Sequence, residues 1–275
     1  MIPFSDVARA AFCPRQLYYV RRDDDRSVPP EPRARIALAF RYPELVDAPD
    51  ATLRRLPIRR SPAAYRRNLS RLRDHDAYDR LVDPARERAF VAGRDCHGTV
   101  HKVLDPVGGN GNGGGGGGGG DDGGGIDGED DNDEDGDDND CDEDGDDNDR
   151  DGDDDCDGDD DNDDARPPVP VVVSPGEPPE QGVWGPQSVR AVAAAKALAW
   201  EHEREIPRAF VEYPSVGVVR AVRVTLRRTA SYRRALRAAR GIDGPPPRVD
   251  DDRCSSCAYR DECGVETRSL RSLLG

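Results

Sequence analysis

A tract of glycine and aspartate constrains this chain more than any other feature, because it divides the sequence into two parts. Polyglycine follows Val107, and Asp, Gly and Asn then make up almost every position up to residue 166. A segment this polar cannot bury enough apolar surface to offset the entropy lost on ordering it. We therefore expect residues 107–166 to be a disordered acidic insert. Residues 1–106 and 167–275 would build the fold together.

The insert also dominates the overall charge. Residues 121–164 hold 28 of the 56 acidic side chains and one of the 40 basic side chains, so they carry −27 and the other residues carry +11. Only Lys102 and Lys196 are lysines, and the planar fork of arginine suits phosphate better than a lysine does. The basic remainder predicts DNA as a partner, although a GC-rich genome would also favour arginine over lysine.

The sequence predicts a cytoplasmic protein with no membrane segment. No stretch approaches the roughly 20 apolar residues that a membrane span needs. The amino terminus, MIPFSDVARAAFCPRQLYY, has charge and proline where a signal peptide needs an apolar run. In a reducing compartment, clustered cysteines indicate metal or cluster ligands rather than disulfides.

Hydrophobic periodicity predicts a mainly helical first part. Residues 1–22 have the pattern of one short helix, and residues 54–102 are again mostly helical in pattern. The best-formed helix is predicted over 84–104, where a proline lies in the first turn and apolar residues recur at helical spacing.

The second part predicts an alternation of strands and helices. A β-branched run over residues 169–173 indicates a strand, and an apolar stripe over 187–205 indicates a long helix. Residues 209–213 and 216–226 are typical of a two-stranded hairpin. A basic helix is expected over 231–240.

Four cysteines form the most specific pattern in the chain. Cys254, Cys257 and Cys263 lie within ten residues, and the Cys-x2-Cys spacing lets two thiolates reach one metal centre. Cys13 is the natural fourth ligand, because Cys96 falls in the predicted central helix and the other two cysteines fall in the insert. An iron-sulfur cluster and a zinc ion both fit this set, and unrelated thiols are the third alternative.

These residues resemble the CRISPR-associated, RecB-like exonuclease family. The resemblance rests on the segment FCPRQLYY around Cys13, on GRDCH ending at His97, and on Cys254-x2-Cys257-x5-Cys263. It implies an α/β fold with a PD-(D/E)xK nuclease core, a mixed sheet and helical flanks. It further implies a 4Fe-4S cluster on the four cysteines that clamps the two chain ends. Family members cut single-stranded DNA ends with Mn²⁺ or Mg²⁺ and help to prepare CRISPR spacers, which implies DNA and CRISPR adaptation proteins as partners.

The resemblance also places two residues of a nuclease site. His97 falls on the family's metal-binding histidine, and Gln187 falls on the glutamine of its Gln-x3-Tyr helix. His101, one turn further along the predicted helix, could substitute for His97. A histidine packed inside a helix face is the structural alternative for His97.

The rest of the implied nuclease site departs from the family pattern. Val172 and Ser174 stand at the Glu-x-Lys positions, and Ala191 stands in place of the tyrosine. The metal-binding aspartate is expected on a strand between His101 and Val169. Three glutamates could supply a displaced carboxylate: Glu177, Glu180 and Glu212.

The sequence therefore predicts an iron-sulfur DNA-processing protein with weak or lost cleavage. One alternative is a non-catalytic DNA-binding or adaptor subunit. The other is a zinc-stapled regulatory protein whose acidic insert binds basic partners.

Overall fold

The structure is a computed structural model that describes residues 1–23, 29–106, 167–249 and 252–264. In this part of the chain, helices cover both faces of a mixed six-stranded sheet. The insert predicted to be disordered, 107–166, lies outside the described residues. The strands are β1 (Ile2–Pro3), β2 (Arg86–Ala92), β3 (Cys96–Leu104), β4 (Val169–Val173), β5 (Arg208–Tyr213) and β6 (Val218–Arg223). The helices are α1 (Phe4–Phe12), α2 (Pro14–Arg22), α3 (Pro30–Ala37), α4 (Tyr42–Val46), α5 (Asp50–Leu53), α6 (Pro62–Arg73), α7 (Tyr78–Val82), α8 (Gly185–Glu201), α9 (Leu226–Arg240) and α10 (Arg260–Cys263).

Pairing of β3 with β4 joins the two parts of the sequence in one sheet. β3 and β4 are antiparallel, β4 and β5 are parallel, and β5 and β6 form an antiparallel hairpin. The parallel pair needs a crossover, which α8 supplies. The α/β class predicted from the sequence is therefore confirmed, as a mixed sheet with helices packed against it.

β3 is paired unevenly along its two edges. β2 pairs with one edge from Arg86 to Ala92, whereas β1 and β4 share the other edge at its two ends. β1 reaches only His97, and β4 begins to pair only at Lys102. Residues 98–100 consequently pair with β2 on one edge alone, and the register leaves out His101.

A hydrophobic core lies on each face of the sheet. Val172 of β4 contributes to one core, and Val171 and Val173 contribute to the other, as the two-residue repeat of a strand requires. We call these the α8 face, which α1, α8 and α9 cover, and the α6 face, which the helices between residues 30 and 82 cover. In the described part of the chain, no helix has both the length and the apolar character that spanning a bilayer requires.

The second part of the chain largely follows its prediction. The strand over 169–173, the long helix and the hairpin are all present. The basic helix α9 begins at Leu226, five residues before its predicted start, where the Thr225 side chain accepts a hydrogen bond from Arg228 N. The predicted amino-terminal helix is instead two helices that meet at Cys13.

The prediction of a helix over residues 84–104 is wrong. These residues form the hairpin β2–β3, closed by a hydrogen bond from Gly93 N to Cys96 O (2.9 Å). The apolar residues fit helical spacing, but β-branched residues such as Val91 and Val100 favour strands. Gly93 is required at this turn, since a Cβ there would lie 2.5 Å from the Ala197 Cα of α8.

A buried ion pair on the α6 face connects the sheet to the helices that cover it. Lys102 Nζ lies 3.1 Å from Glu212 Oε1 and donates to the carbonyl oxygens of Ala39 and Leu81, each at 2.7 Å. Tyr42 donates its hydroxyl to Glu212 Oε2 (2.8 Å). Burial raises the pKa of Glu212, and the Lys102 charge opposes that shift. One cluster thus joins β3 and β5 to α4, α7 and the turn before α4.

We expect a double-mutant cycle on this pair to be strongly non-additive. Glu212→Gln leaves a buried lysine without its carboxylate, which typically costs about 3–5 kcal/mol in the free energy of unfolding. Lys102→Met should be costly as well, whereas the double variant should lose less than the sum of the two. Urea unfolding of all four proteins measures this coupling. Additive losses would show that the two charges do not depend on each other.

Candidate functional site

Cys13 lies between α1 and α2 and caps the second helix. Its backbone is extended, and its thiol accepts a hydrogen bond from Gln16 N (3.4 Å). The Gln16 side chain then donates from Nε2 to the Cys257 thiol (3.8 Å). One side chain therefore links a thiol near the start of the chain to one near its end.

The segment 252–264 folds its three cysteines into short helical turns. Cys257 N donates to Cys254 O (3.3 Å), and Cys263 N donates to Tyr259 O (2.9 Å). Arg15 of α2 contacts the Cys263 side chain. Consecutive residues of α2 therefore contact two of the three cysteines in this segment.

Further contacts hold this segment against the amino-terminal helices. Tyr19 donates its hydroxyl to Glu262 O (2.9 Å) and stacks on Tyr259, with 5.9 Å between ring centroids. Arg253 donates to Phe12 O (2.6 Å). Hydrogen bonds, ring stacking and a cation–π contact of Arg253 with Phe12 thus hold the two ends of the described chain together.

The four predicted cysteine ligands share this region, and all four are free, half-buried thiols. Among the described residues, no three His, Cys, Asp or Glu side chains form a ready-made metal-binding group. Sites of this kind seldom preassemble, because metal binding and local folding are coupled. The donor set of four thiols fits iron in a cluster, or zinc.

Cys96 is separate from this group, as predicted, although it lies on a strand and not on a helix. Its side chain is 1% exposed, and its thiol lies 3.3 Å from the Tyr232 hydroxyl. Burial raises the pKa of this thiol, which keeps it protonated. Cys141 and Cys156 lie outside the described residues.

A pocket of about 120 Å³ on the α8 face lies where β4 ends and α8 begins. The carboxyl end of a strand in an open α/β sheet is a common place for a ligand site. The pocket is lined by Ala8, Val172, Val173, Ser174, Pro175, Pro186, Gln187, Arg190 and Val211.

The pocket contains both positions that the resemblance assigns to Glu-x-Lys. Val172 is buried in the core, and Ser174 is 4% exposed. Gln187 donates from Nε2 to Ser174 Oγ at 3.5 Å, so the predicted glutamine does lie beside these positions. None of the nine lining residues is an aspartate or glutamate.

The strand expected to carry a metal-binding aspartate falls in an interval of which residues 107–166 lie outside the described residues. The sequence placed that strand between His101 and Val169, but β3 ends at Leu104, and residues 105–106 and 167–168 are not in a strand. β3 and β4 separate at His101, whose Nδ1 accepts a hydrogen bond from Val173 N (3.0 Å). The His101 imidazole thus replaces the backbone acceptor that Val173 N would otherwise find on β3.

His101 is neutral at physiological pH. Burial lowers its pKa to about 3, and the positive charges of Arg190, Lys102 and Arg88 contribute to the shift. Because Nδ1 accepts a hydrogen bond, the single ring proton lies on Nε2. The ring therefore carries no charge at the end of β4 at physiological pH.

Arg190 is the functional residue that the sequence interpretation missed. Its guanidinium is half-buried, its Nε is buried without a partner, and it has no ion pair among the described residues. Burial lowers its pKa, and the nearby charge of Arg9 acts in the same direction. Arg190 follows Gln187 by three residues, which puts both side chains on one face of α8. That spacing was the available signal.

The glutamates considered as displaced carboxylates do not line the pocket. Glu177 is paired with Arg59 (3.3 Å) and Arg60 (2.7 Å) at the surface. Glu212 is buried on the α6 face with Lys102. Glu180 is exposed.

His97 is not brought to this pocket either. Four residues of β3 separate it from His101, about 13 Å along a strand, whereas one helical turn would have given about 6 Å. The His97 ring packs against Phe90 with 5.7 Å between ring centroids, and its Nδ1 is buried without a partner. The two histidines therefore do not converge on one metal ion in this arrangement.

In comparisons with known proteins, no protein-family model and no curated protein matched this chain. The side-chain geometry of the cysteine region and of the pocket is therefore the basis for the functional proposal.

We expect His101 to make the stability of the fold pH-dependent between about pH 3 and 6.5. Its folded pKa lies below its unfolded value, so the unfolded chain binds more protons in this window and stability rises with pH. The contribution is on the order of 2–4 kcal/mol and disappears as pH falls towards 3. In His101→Asn, the amide oxygen can still accept from Val173 N without titrating. Urea unfolding from pH 4 to 7 should give a flatter curve for this variant, and parallel curves would contradict the assignment.

Proposed function

We propose that this protein is an iron-sulfur, DNA-binding member of the CRISPR-associated, RecB-like family that has lost efficient cleavage. The observation that carries the proposal is the pocket at the end of β4. Val172 and Ser174 stand there in place of a carboxylate and a lysine, and Arg190 lies beside them. A PD-(D/E)xK core of mixed sheet and flanking helices fits the observed architecture.

The chemistry of this pocket does not suit a divalent cation. Mg²⁺ and Mn²⁺ prefer carboxylate and other oxygen ligands, which neutralise their charge. This pocket instead offers a hydroxyl, an amide and an unpaired guanidinium. A single missing group in a catalytic centre commonly reduces the rate by a factor of about 100–1000, and here a carboxylate and a lysine are replaced.

The helix α9 supports DNA binding. It contains six arginines and no acidic residue. Arg227, Arg233, Arg234 and Arg237 are exposed on it. Arginines clustered along one helix give the electrostatic attraction that dominates affinity for the phosphate backbone.

A second cavity beside α9 favours single-stranded DNA. It measures about 430 Å³, and its lining includes Trp200 together with four basic residues and three acidic ones: Arg94, Lys196, Arg204, Arg233, Asp95, Glu203 and Glu205. Trp200 is 59% exposed. An exposed aromatic ring next to cations is the combination on which unpaired bases stack while their phosphates are neutralised.

The contacts between α2 and the segment 252–264 support the cluster assignment. They bring Cys13 to the same region as Cys254, Cys257 and Cys263. When bound, a 4Fe-4S cluster would supply a covalent link between the two chain ends. The protein's own contribution is to position the thiols through Gln16 and Tyr19.

The cluster prediction has a matched control within the chain. Anaerobically purified protein should be brown and absorb broadly near 400 nm, as thiolate-bound iron does. Cys13→Ser and Cys257→Ser should bleach this absorption and loosen the carboxyl-terminal segment. Cys96→Ser should keep the colour, because Cys96 is buried in the core beside Tyr232. Colourless wild-type protein with one zinc per chain would contradict the iron assignment and favour the zinc-stapled alternative.

The proposed function predicts DNA binding without cutting. Labelled single-stranded DNA should bind by fluorescence anisotropy, and Mn²⁺ should not lead to its degradation. The triple variant R233Q/R234Q/R237Q should bind more weakly, with the slope of log K against log salt reduced by about 2.

Three exposed arginines of α6 provide the control for that experiment. The variant R67Q/R71Q/R73Q changes the net charge equally at another surface and should bind DNA nearly as the wild type does. Equal losses in both variants would show attraction by net charge alone. Robust Mn²⁺-dependent degradation that His97→Ala abolishes would show an active nuclease centre.

A further inference from the structure

The unpaired guanidinium of Arg190 is the least satisfied charge found on the α8 face. A charged side chain removed from water is costly unless it has a partner of opposite charge. Among the described residues, Arg190 has no such partner, and its Nε is buried without a hydrogen bond. The pocket in which it lies therefore presents a positive charge without an ion pair to a described residue.

Other groups around Arg190 present donors to the same pocket. Ser174 contributes a hydroxyl, and Gln187 contributes the second N–H of the Nε2 that already donates to Ser174 Oγ (3.5 Å). The Gln187 Oε1, which is an acceptor, is buried without a partner. Pro186 and Gln187 belong to the first turn of α8, a helix of 17 residues. No side chain caps this end of the helix, and Pro186 has no N–H, so the Gln187 N–H and the positive end of the helix dipole are what this turn offers an anion.

The surroundings of the pocket are also positive. Arg9, which lies 4.0 Å from Asp6, acts electrostatically on Arg190, and Arg88 acts on the neighbouring His101. No aspartate or glutamate lines the cavity. Such a field repels divalent cations and attracts anions.

We propose that this pocket binds a phosphate group, with Arg190 as its principal ligand and Ser174, Gln187 and the first turn of α8 as further donors. Arginine suits phosphate because its planar fork donates two parallel hydrogen bonds. The volume of about 120 Å³ admits a phosphate group but not a nucleoside. A nucleic acid would therefore insert only a terminal phosphate, with the rest of the strand outside.

This inference rests on the proposed function only for the source of the phosphate. Phosphate is inferred as the ligand from the residues of the pocket. The end of a DNA strand is inferred as one source of that phosphate from the proposed DNA binding. Free inorganic phosphate is the other source. The two are distinguished by separate arms of one experiment.

The first arm uses inorganic phosphate and purified full-length protein at constant ionic strength, so that general screening is held fixed. Calorimetric titration should show one phosphate per chain, and phosphate should raise the melting temperature. Arg190→Gln should weaken binding about tenfold or more, and Arg190→Lys should retain part of it. Arg71→Gln, which removes an exposed charge from α6, should bind phosphate as the wild type does.

Arg190→Gln should fold, because it removes an unpaired charge, and its melting temperature without phosphate checks this directly. Phosphate binding that is absent in the wild type, or unchanged in Arg190→Gln, would overturn the proposal. That result would not affect DNA binding, so the proposed function is tested separately.

The second arm compares three labelled single strands of one sequence, with a 5′-phosphate, a 3′-phosphate or neither. A gain in affinity of about tenfold for one phosphorylated end, lost in Arg190→Gln, would identify a strand end as the ligand. Equal affinity for all three strands, together with phosphate binding in the first arm, would support the phosphate site with free phosphate as its ligand. Equal affinity without phosphate binding would overturn it.

Discussion

The ammonium group of Lys102 lies in the interior of the protein. Each group that binds it belongs to a different element of the fold. The ammonium contacts Glu212 of β5, the carbonyl of Leu81 in α7, and the carbonyl of Ala39 just before α4. Tyr42 completes the set by donating to the same carboxylate. A buried pair is costly when it loses its partners, so displacing the helices of the α6 face from the sheet would leave the Lys102 charge unsatisfied. The ion pair therefore links β3 and β5, which lie on either side of β4.

The opposite face of the same strands shows the converse electrostatic arrangement. There β3 and β4 separate at His101, and the guanidinium of Arg190 lines the pocket at the end of β4 with no ion pair to a described residue. The α6 face thus contains the neutralised pair of Lys102 and Glu212, whereas the α8 face contains the positive charge of Arg190 without an ion pair to a described residue. An unsatisfied charge at the end of a strand is a common sign of a binding site. Its sign favours an anion over a catalytic metal ion.

The sequence indicated some of these features and misled on others for physical reasons. The strand ending at Val173, the helix α8 and the hairpin β5–β6 were predictable, because their periodicity is unambiguous. The apolar spacing of residues 84–104 predicts a helix, whereas their β-branched residues and the pairing of β2 with β3 favour strands. Arg190 was missed because burial and the lack of a partner are properties of the fold. Cys13 lies in the same region as the carboxyl-terminal cysteines. The metal that these four thiols would bind stays a prediction.

Anomalous diffraction from crystals soaked in MnCl₂ tests the central claim most directly, because it locates bound manganese independently of activity. The claim is that the pocket formed by Val172, Ser174, Gln187 and Arg190 does not hold a divalent cation. The account predicts no manganese peak in this pocket, whatever cations the acidic residues elsewhere attract. A strong peak at the end of β4, with protein oxygen or histidine ligands, would contradict it.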